Sequence, residues 1–261
     1  MGQRMRSQFE TEGLSSAVEY EATVCLDLFD SPALDSLATQ ARAGLHLKIQ
    51  PSASPLAEPS VVQVTLCEDD YGGWVALKSL ETLKPAASPY QPPQPSLAEI
   101  QERIPAAIAF VHAALSQPNV YLWGGTVGPN YDCSGLVQHA FSSQGIWLPR
   151  DAYQQEAFVQ PLANPGDRPQ DLVNVLAPGD LIFFGTPVKA THVAIYLGEG
   201  TYIHSSGISQ GRNGIGIDSL LDLTEPVSHT YCSQVRGAGR VVRSYQPGEM
   251  PWIKTAQGIA L

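Results

Sequence analysis

The sequence has few basic side chains and no long apolar run, and each shortage removes a class of function. Its 261 residues include 15 Lys and Arg against 25 Asp and Glu, which gives a formal net charge of −10. A nucleic-acid partner would require a basic face, so none is expected. No segment reaches the roughly 18 consecutive apolar residues typical of a membrane helix, so no membrane partner is expected either.

Cysteine is also scarce, and its spacing excludes two common sulfur sites. The four cysteines are spread along the chain and no two form a CxxC pair. A zinc knuckle or a thioredoxin-type site is therefore not expected. The first 22 residues lack the apolar segment of a secretory signal, so we expect a cytoplasmic protein with reduced thiols. Cys25 and Cys67 lie in alternating apolar runs and are expected to pack in a core.

A proline-rich segment divides the chain into two parts. The stretch "KPAASPYQPPQPSLAEI" carries five prolines, and proline favours an extended, semi-rigid backbone. We therefore assign residues 1–84 to a first domain, residues 85–96 to a linker and residues 97–261 to a second domain. Such a stiff joint predicts that the first domain packs firmly on the second.

The first domain is expected to be a small β-barrel. Its strand-like runs are "EYEATVCLDLFDSP", "GLHLKI", "VVQVTLCEDDYGGWVAL" and "LETLKP", broken by Gly, Pro and Asp. Strands of this length and spacing are typical of small barrels. Within them "EDDYGGW" predicts a hairpin turn.

The second domain is predicted to be α+β, with helices first and antiparallel strands after them. Ser96 and Glu99 form a capping box for a first helix, which Pro105 is expected to bend or restart. Further helices are expected after Cys133 and within "LPRDAYQQEAFVQPL". The segments "DLIFFG", "THVAIYLG" and "TYIHSSG" predict strands, and "GRVVRSY" predicts an edge strand.

Cys133 stands where a helix is expected to begin. In "YDCSGLVQHAF", Asp132 is the predicted N-cap and Cys133 the first helical residue. Unpaired N–H groups and the positive end of the helix dipole favour a thiolate there and predict a depressed pKa. A cysteine in this position is either a nucleophile or a buried packing residue. A neighbouring base decides between the two.

Two of the six histidines lie in a hairpin pattern that can supply this base. "THVAIYLGEGTYIHSS" places a Gly-Glu-Gly turn, residues 198–200, between two strands. If opposed residue numbers sum to 398, His192 and His204 are diagonal neighbours on one face, about 7–8 Å apart. One imidazole can then take the thiol proton while the second orients the first. The alternatives are two polar residues on a solvated face, or a zinc site shared with Cys133.

Five motifs, in order along residues 100–245, resemble the NlpC-type, papain-like cysteine peptidases of bacterial cell-wall peptides. They are "YLWGGTVGPNYDCSGLVQHAF", "LPRDAYQQ", "APGDLIFFG", "THVAIYLG" and "YIHSSG". The preceding SH3-like domain and short linker resemble the subgroup of γ-D-glutamyl-L-diamino acid endopeptidases. The resemblance implies that Cys133 is the nucleophile, His192 the base and His204 the residue that orients it. It implies no metal and no organic cofactor.

The same resemblance assigns roles to residues around the cysteine. The hydroxyl of Tyr121 would donate to the oxyanion, although a packed aromatic side chain is the alternative. Trp123 would form a pocket wall. Ser134 would contact the substrate beside the nucleophile, and Asp132 would either bind substrate or serve only as the helix cap.

Three further residues are expected at the substrate cleft. The family places Arg150 and Asp151 there, although Asp151 and Gln154 also form a capping-box pair. Tyr71, in the predicted hairpin turn of the first domain, is the expected contact from that domain. Asp180, in "APGDL", is instead expected to belong to a turn that begins a strand.

The predicted function is that of a cysteine endopeptidase acting on murein tri- or tetrapeptides in cell-wall peptide recycling. It would hydrolyse the γ-D-glutamyl-L-diamino acid bond of peptides with a free N-terminal L-alanine. Two alternatives stay open. One is an N-acetylmuramoyl-L-alanine amidase, and the other is a non-catalytic wall-binding protein in which the SH3-like domain carries the function.

Overall fold

The protein is seen as a computed structural model that describes residues 18–50, 60–163, 167–222 and 224–249. In the first domain, the described strands form one antiparallel sheet in the order β3-β2-β6-β5-β4-β1-β7. Its interior is filled by alternating apolar side chains such as Leu28, Leu47 and Val64. The strands are β1 (Glu19–Ala22), β2 (Leu26–Phe29), β3 (Leu37–Ala41), β4 (His46–Ile49), β5 (Val61–Leu66), β6 (Gly72–Ala76) and β7 (Leu83–Pro85).

The second domain combines helices with a second antiparallel sheet, in the order β12-β11-β10-β9-β13-β8. This is the α+β class that the sequence predicts. The helices are α1 (Leu97–Leu115), α2 (Cys133–Ser142), α3 (Ala152–Phe158), α4 (Pro169–Leu172) and α5 (Pro226–Cys232). The strands are β8 (Gln160–Ala163), β9 (Leu181–Gly185), β10 (Ala190–Gly198), β11 (Thr201–Ser206), β12 (Gly214–Ser219) and β13 (Val235–Arg240).

Both faces of the second sheet are covered, which decides the environment of the site. Apolar side chains of α2, such as Leu136 and Phe141, pack with Val193 and Ile203 on one face. A second cluster, which includes Tyr231 of α5, covers the other face. Within the described residues, no helix is both long and apolar enough to span a membrane.

Three local predictions differ from the structure. The segment "GRVVRSY" is not an edge strand, because β13 ends at Arg240 and lies between β9 and β8. Glycines weaken the strand pattern of β13, but a Cβ at Gly239 would lie 2.2 Å from the Val159 side chain. Cys25 is exposed in the turn between β1 and β2, so it is not a core residue, whereas Cys67 is buried as predicted. Helix α1 continues through Pro105 without a restart.

Buried polar contacts join the two domains. The Asp69 carboxylate accepts a hydrogen bond from Gln138 Nε2 at 2.8 Å, and Arg150 Nε donates to Thr39 Oγ1 at 3.0 Å. The main chain also approaches closely, since a Cβ at Gly124 would lie 2.4 Å from the Leu37 carbonyl oxygen. Buried polar groups are costly to separate from their partners, so these contacts resist movement between the domains.

The close approach at Gly124 gives a test of the domain interface. Gly124 and Gly44 both have positive φ, of 76° and 90°, but a Cβ at Gly44 meets nothing within 4 Å. Both Gly→Ala changes carry the cost of the left-handed backbone, and only Gly124→Ala adds a clash. We expect Gly124→Ala to lower the free energy of unfolding by about 1–3 kcal/mol more than Gly44→Ala in urea titrations. Equal losses would contradict a tight interface.

Candidate active site

Helix α2 presents Cys133 at its first position, as the sequence predicts. Asp132 is the N-cap, and its Oδ1 accepts a hydrogen bond from the Gly135 N–H at 2.7 Å. Glycine is required at position 135, because a Cβ there would lie 2.0 Å from the Gly125 carbonyl oxygen. The "GG" segment before the cysteine therefore packs directly against the start of the helix.

The two hairpin histidines meet in the interior. Residue numbers paired between β10 and β11 sum to 398 until a bulge at Gly198, so the predicted register is confirmed. His192 Nε2 lies 2.7 Å from His204 Nδ1, and the two residues are 7% and 0% exposed. The alternative of a solvated strand face is therefore wrong. Among the described residues, no group of three or more His, Cys, Asp or Glu side chains is placed to hold a metal ion.

The histidine pair continues into a carboxylate that sequence reasoning missed. His204 Nε2 lies 2.7 Å from Asp218 Oδ2, and Arg212 Nη2 donates to both Asp218 oxygens at 2.9 and 2.7 Å. In the β11–β12 register, His204 pairs with Gly216, so Asp218 is its diagonal neighbour on the same face. The segment between β11 and β12 is irregular, so the sequence pattern does not predict this register.

The aromatic side chain of Tyr231, in α5, packs against His192. The ring of Tyr231 stacks on His192 with centroids 4.3 Å apart and an interplanar angle of 27°. Its hydroxyl and the Ser206 hydroxyl are 2.7 Å apart. Sequence reasoning also missed Tyr231, because no local motif connects α5 to the hairpin.

Burial keeps the Cys133 thiol and the His192 imidazole neutral. The Cys133 sulfur accepts hydrogen bonds from the N–H groups of Val193 and Ser134, but burial and the charge of Asp132 raise its pKa to about 12. The prediction of a depressed pKa is therefore wrong, because loss of solvent outweighs the helix start. Burial and the neighbouring His204 also lower the pKa of His192 well below its usual value. Both side chains are therefore neutral near pH 7.

Alkylation tests this protonation state. In the substrate-free enzyme at pH 7, we expect iodoacetamide to modify exposed Cys25 before buried Cys133. With Cys25 replaced by serine, labelling of Cys133 should rise continuously between pH 7 and pH 10, as measured by mass spectrometry of tryptic peptides. A Cys133 labelling rate that is already constant at neutral pH would show a stable thiolate and contradict this assignment.

The two aromatic residues before the cysteine have different environments. Burial and the nearby Cys133 and Asp132 side chains raise the pKa of Tyr121, so its hydroxyl keeps the proton that an oxyanion donor needs. Trp123 is 67% exposed, so its ring is not part of a closed pocket. Both assignments to the substrate cleft stay predictions.

Three of the predicted substrate residues bind one another. Arg150 Nη2 donates to Asp132 Oδ2 at 2.6 Å, and Arg150 Nη1 donates to the Ser134 hydroxyl at 3.0 Å. Arg150 is 1% exposed and also bonds Thr39 of the first domain. These contacts brace the start of α2 against the first domain, and direct contact of the three residues with substrate stays a prediction.

Tyr71 and Asp151 are brought together from different domains. The Tyr71 hydroxyl lies 3.3 Å from each oxygen of the Asp151 carboxylate. Burial and Asp151 raise the pKa of Tyr71 well above its usual value, so the hydroxyl stays protonated and donates to the carboxylate. Asp151 also begins α3, where its N–H donates to Gln154 Oε1 at 2.9 Å. Asp180 has the predicted turn role, since it accepts from the Ala177 N–H and precedes β9.

Comparison with known proteins follows the same division of the chain. Residues 118–236 match the model of the NlpC/P60 family, and residues 28–80 match that of the bacterial dipeptidyl-peptidase SH3 domain. The chain is 39% identical over 99 residues to a probable endopeptidase of Mycobacterium tuberculosis, covering 38% of this chain and 23% of the relative. It is 40% identical over 90 residues to a gamma-DL-glutamyl hydrolase of Bacillus subtilis, covering 33% and 20%.

A crystal structure of an NlpC/P60 family protein from Bacillus cereus is 23% identical to this chain, with a TM-score of 0.41. The match covers 86% of this chain and 64% of the other. The matched segment spans about a fifth of the length of the two curated relatives. Each family match lies within one of the two parts of the chain described above. Residues 118–236 are therefore similar to the NlpC/P60 family, and the preceding residues 28–80 are similar to a bacterial SH3 domain.

Proposed function

We propose that the protein is a cysteine endopeptidase that hydrolyses the γ-D-glutamyl-L-diamino acid bond of murein tri- or tetrapeptides with a free N-terminal L-alanine. The family match and the relative named as a gamma-DL-glutamyl hydrolase support the bond type. The observation that carries the proposal is the contact between Tyr71 and Asp151, because it supplies a handle for an amine.

The proposed reaction uses Cys133 and the buried chain of hydrogen bonds from His192 through His204 to Asp218. The thiol transfers its proton to His192 while the sulfur attacks the γ-carbonyl carbon. Tyr121 donates to the oxyanion that develops on the carbonyl oxygen. His192 then protonates the departing amine of the diamino acid, which leaves an acyl-enzyme. Water, deprotonated by His192, releases the acid and restores the thiol.

The contact between Tyr71 and Asp151 favours a substrate with a free ammonium group. A buried ammonium requires a carboxylate or hydroxyl partners, since an unpaired charge in a closed pocket is costly. Asp151 provides the negative charge, and the hydroxyl oxygen of Tyr71, next to that carboxylate, is an acceptor for the same ammonium group. Arg150, the residue before Asp151, donates to the hydroxyl of Ser134, which follows the proposed nucleophile. This hydrogen bond connects the position of Asp151 to the start of α2. In intact cell wall, the L-alanine nitrogen is blocked by the sugar and offers no positive charge to the Asp151 carboxylate.

Products of defined peptides test the proposal directly. The purified protein is incubated with L-Ala-γ-D-Glu-diamino acid tripeptides and with muramyl peptides, and products are identified by mass spectrometry. Release of L-Ala-D-Glu supports the endopeptidase, whereas release of intact peptide from the muramyl substrate would identify an amidase. Wall binding without cleavage of any substrate would identify the non-catalytic alternative.

We further propose that the enzyme works in the cytoplasm on released wall fragments, in peptide recycling. The four cysteines are free thiols, which suits a reducing compartment. Recovery of the protein with the soluble cytoplasmic fraction after cell fractionation would support this location, and recovery with the wall or culture medium would contradict it.

A further inference from the structure

Asp218 is a buried carboxylate whose oxygens all face donors. Its Oδ2 faces His204 Nε2 at 2.7 Å, and Arg212 Nη2 donates to both oxygens. Ser228 donates its hydroxyl to Asp218 Oδ1 at 3.3 Å. That hydroxyl oxygen in turn accepts from the Ser219 N–H at 3.1 Å, which directs its proton at the carboxylate. The network therefore accommodates an ionised carboxylate.

The carboxylate determines which nitrogens of the two histidines carry protons. Asp218 accepts only, so His204 must hold its proton on Nε2, and its Nδ1 is left as an acceptor. His192 Nε2 lies 2.7 Å from that Nδ1 and must therefore be a donor. The lone pair of His192 is then on Nδ1. This is the nitrogen available to the Cys133 sulfur, which accepts from the N–H of the adjacent Val193.

We propose that Asp218, held by Arg212, is a positioning residue that sets the tautomers of His204 and His192 and stabilises the imidazolium formed at His192. The proposal rests on the proposed thiol mechanism. The proton moves from Cys133 Sγ to His192 Nδ1, and from there to the leaving amine. Asp218 stays ionised throughout, as the carboxylate does in the Ser-His-Asp arrangement.

The strands are built to keep Arg212 on this carboxylate. Gly216 pairs with His204 across β11 and β12, and a Cβ at Gly216 would lie 2.1 Å from Arg212 Nη1. Glycine therefore leaves the space that the guanidinium occupies. Although burial opposes ionisation, the hydrogen bonds of His204 and Arg212 and the positive charge of Arg212 lower the pKa of Asp218. The guanidinium thus keeps the carboxylate an acceptor.

Loss of this carboxylate should move the pH profile in a known direction. Burial lowers the pKa of His204, while its hydrogen bond to Asp218 opposes that lowering. Without the negative charge the imidazolium formed at His192 is less stable and loses its proton more readily, so the acid limb of kcat/KM should shift to lower pH. A residue that only supports the fold would leave the acid limb in place. The groups facing His204 are His192, Arg212, Asp218 and the rings of Tyr202 and Tyr231.

Asp218→Asn is the test, with Asp180→Asn as its matched control. Asp180 is also buried and paired through both oxygens with an arginine, Arg240, at 2.8 and 2.7 Å. We expect Asp218→Asn to lower kcat on the order of 10²-fold with KM unchanged, because an amide N–H can force the wrong tautomer. Asp180→Asn should change kcat less than about threefold. Adding Asp218→Asn to His204→Ala should cause no further loss, because both act through one chain.

Nitrogen-15 NMR of the full chain with labelled histidine reads the tautomers without any substrate. The proposal expects Nε2 protonation at His192 and His204 in the wild type and a changed tautomer in Asp218→Asn. If Asp218→Asn does not fold, Arg212→Gln is compared with Arg240→Gln, and only the first should lower kcat. Unchanged tautomers, an unmoved acid limb or additive losses with His204→Ala would overturn the proposal. A wild type that cleaves no peptide overturns the proposed function instead, and the NMR result still decides the role of Asp218.

Discussion

Cys133→Ser and His192→Ala should each lower kcat by about 10⁴-fold or more while leaving the fold intact. Serine cannot be deprotonated by an imidazole whose own pKa burial holds well below its usual value. Alanine at position 192 leaves no acceptor for the thiol proton. The rate is measured from release of L-Ala-D-Glu, and circular dichroism with thermal unfolding reports on the fold.

His204→Ala should retain a trace of activity, with kcat reduced by roughly 10²–10³-fold. His204 contacts His192 and does not transfer a proton to the substrate, so in His204→Ala the base is still present but is no longer oriented.

Cys232→Ser is the matched control for Cys133→Ser, since Cys232 is a buried helix cysteine whose sulfur donates to the Leu220 carbonyl. Retention of activity within tenfold in Cys133→Ser would remove the cysteine mechanism altogether.

Blocking the amine of the substrate should reduce kcat/KM by at least about 10²-fold. An acetylated or sugar-linked alanine removes the positive charge, so binding would bury the negative charge of Asp151 without a compensating ammonium group. We therefore expect efficient cleavage of free L-Ala-γ-D-Glu-diamino acid peptides and almost none of their N-acetyl forms. The comparison is made on paired synthetic peptides by product chromatography.

Asp151→Asn should raise KM about 10-fold or more with a smaller change in kcat, because the lost charge contacts the substrate away from the scissile bond. Asp180→Asn should leave KM nearly unchanged, since Asp180 binds Arg240 and a turn. Tyr71→Phe removes only a hydroxyl and should raise KM several-fold. Equal cleavage of free and blocked peptides would contradict the role of Asp151 and place the enzyme with wall hydrolases.

The parts of the site that are local in the chain were predictable from the sequence. Asp132 and Cys133 form a helix start because a capping residue and the backbone donors it binds are neighbours in sequence. His192 and His204 share a face because a short glycine turn fixes the register of two adjacent strands. The strand β3 was not predicted, because "LATQA" lacks the alternation of large apolar side chains that marks a strand.

The sequence by itself determined the helix start at Cys133 and the histidine hairpin, since each depends on contacts between residues close along the chain. Tertiary structure alone decided the rest. It buried Cys133 and reversed the expected direction of its pKa, because covering both faces of the sheet removes solvent. It also brought Asp218 to His204. The connection between β11 and β12 is irregular, so no local sequence pattern predicts their register, which is set by packing.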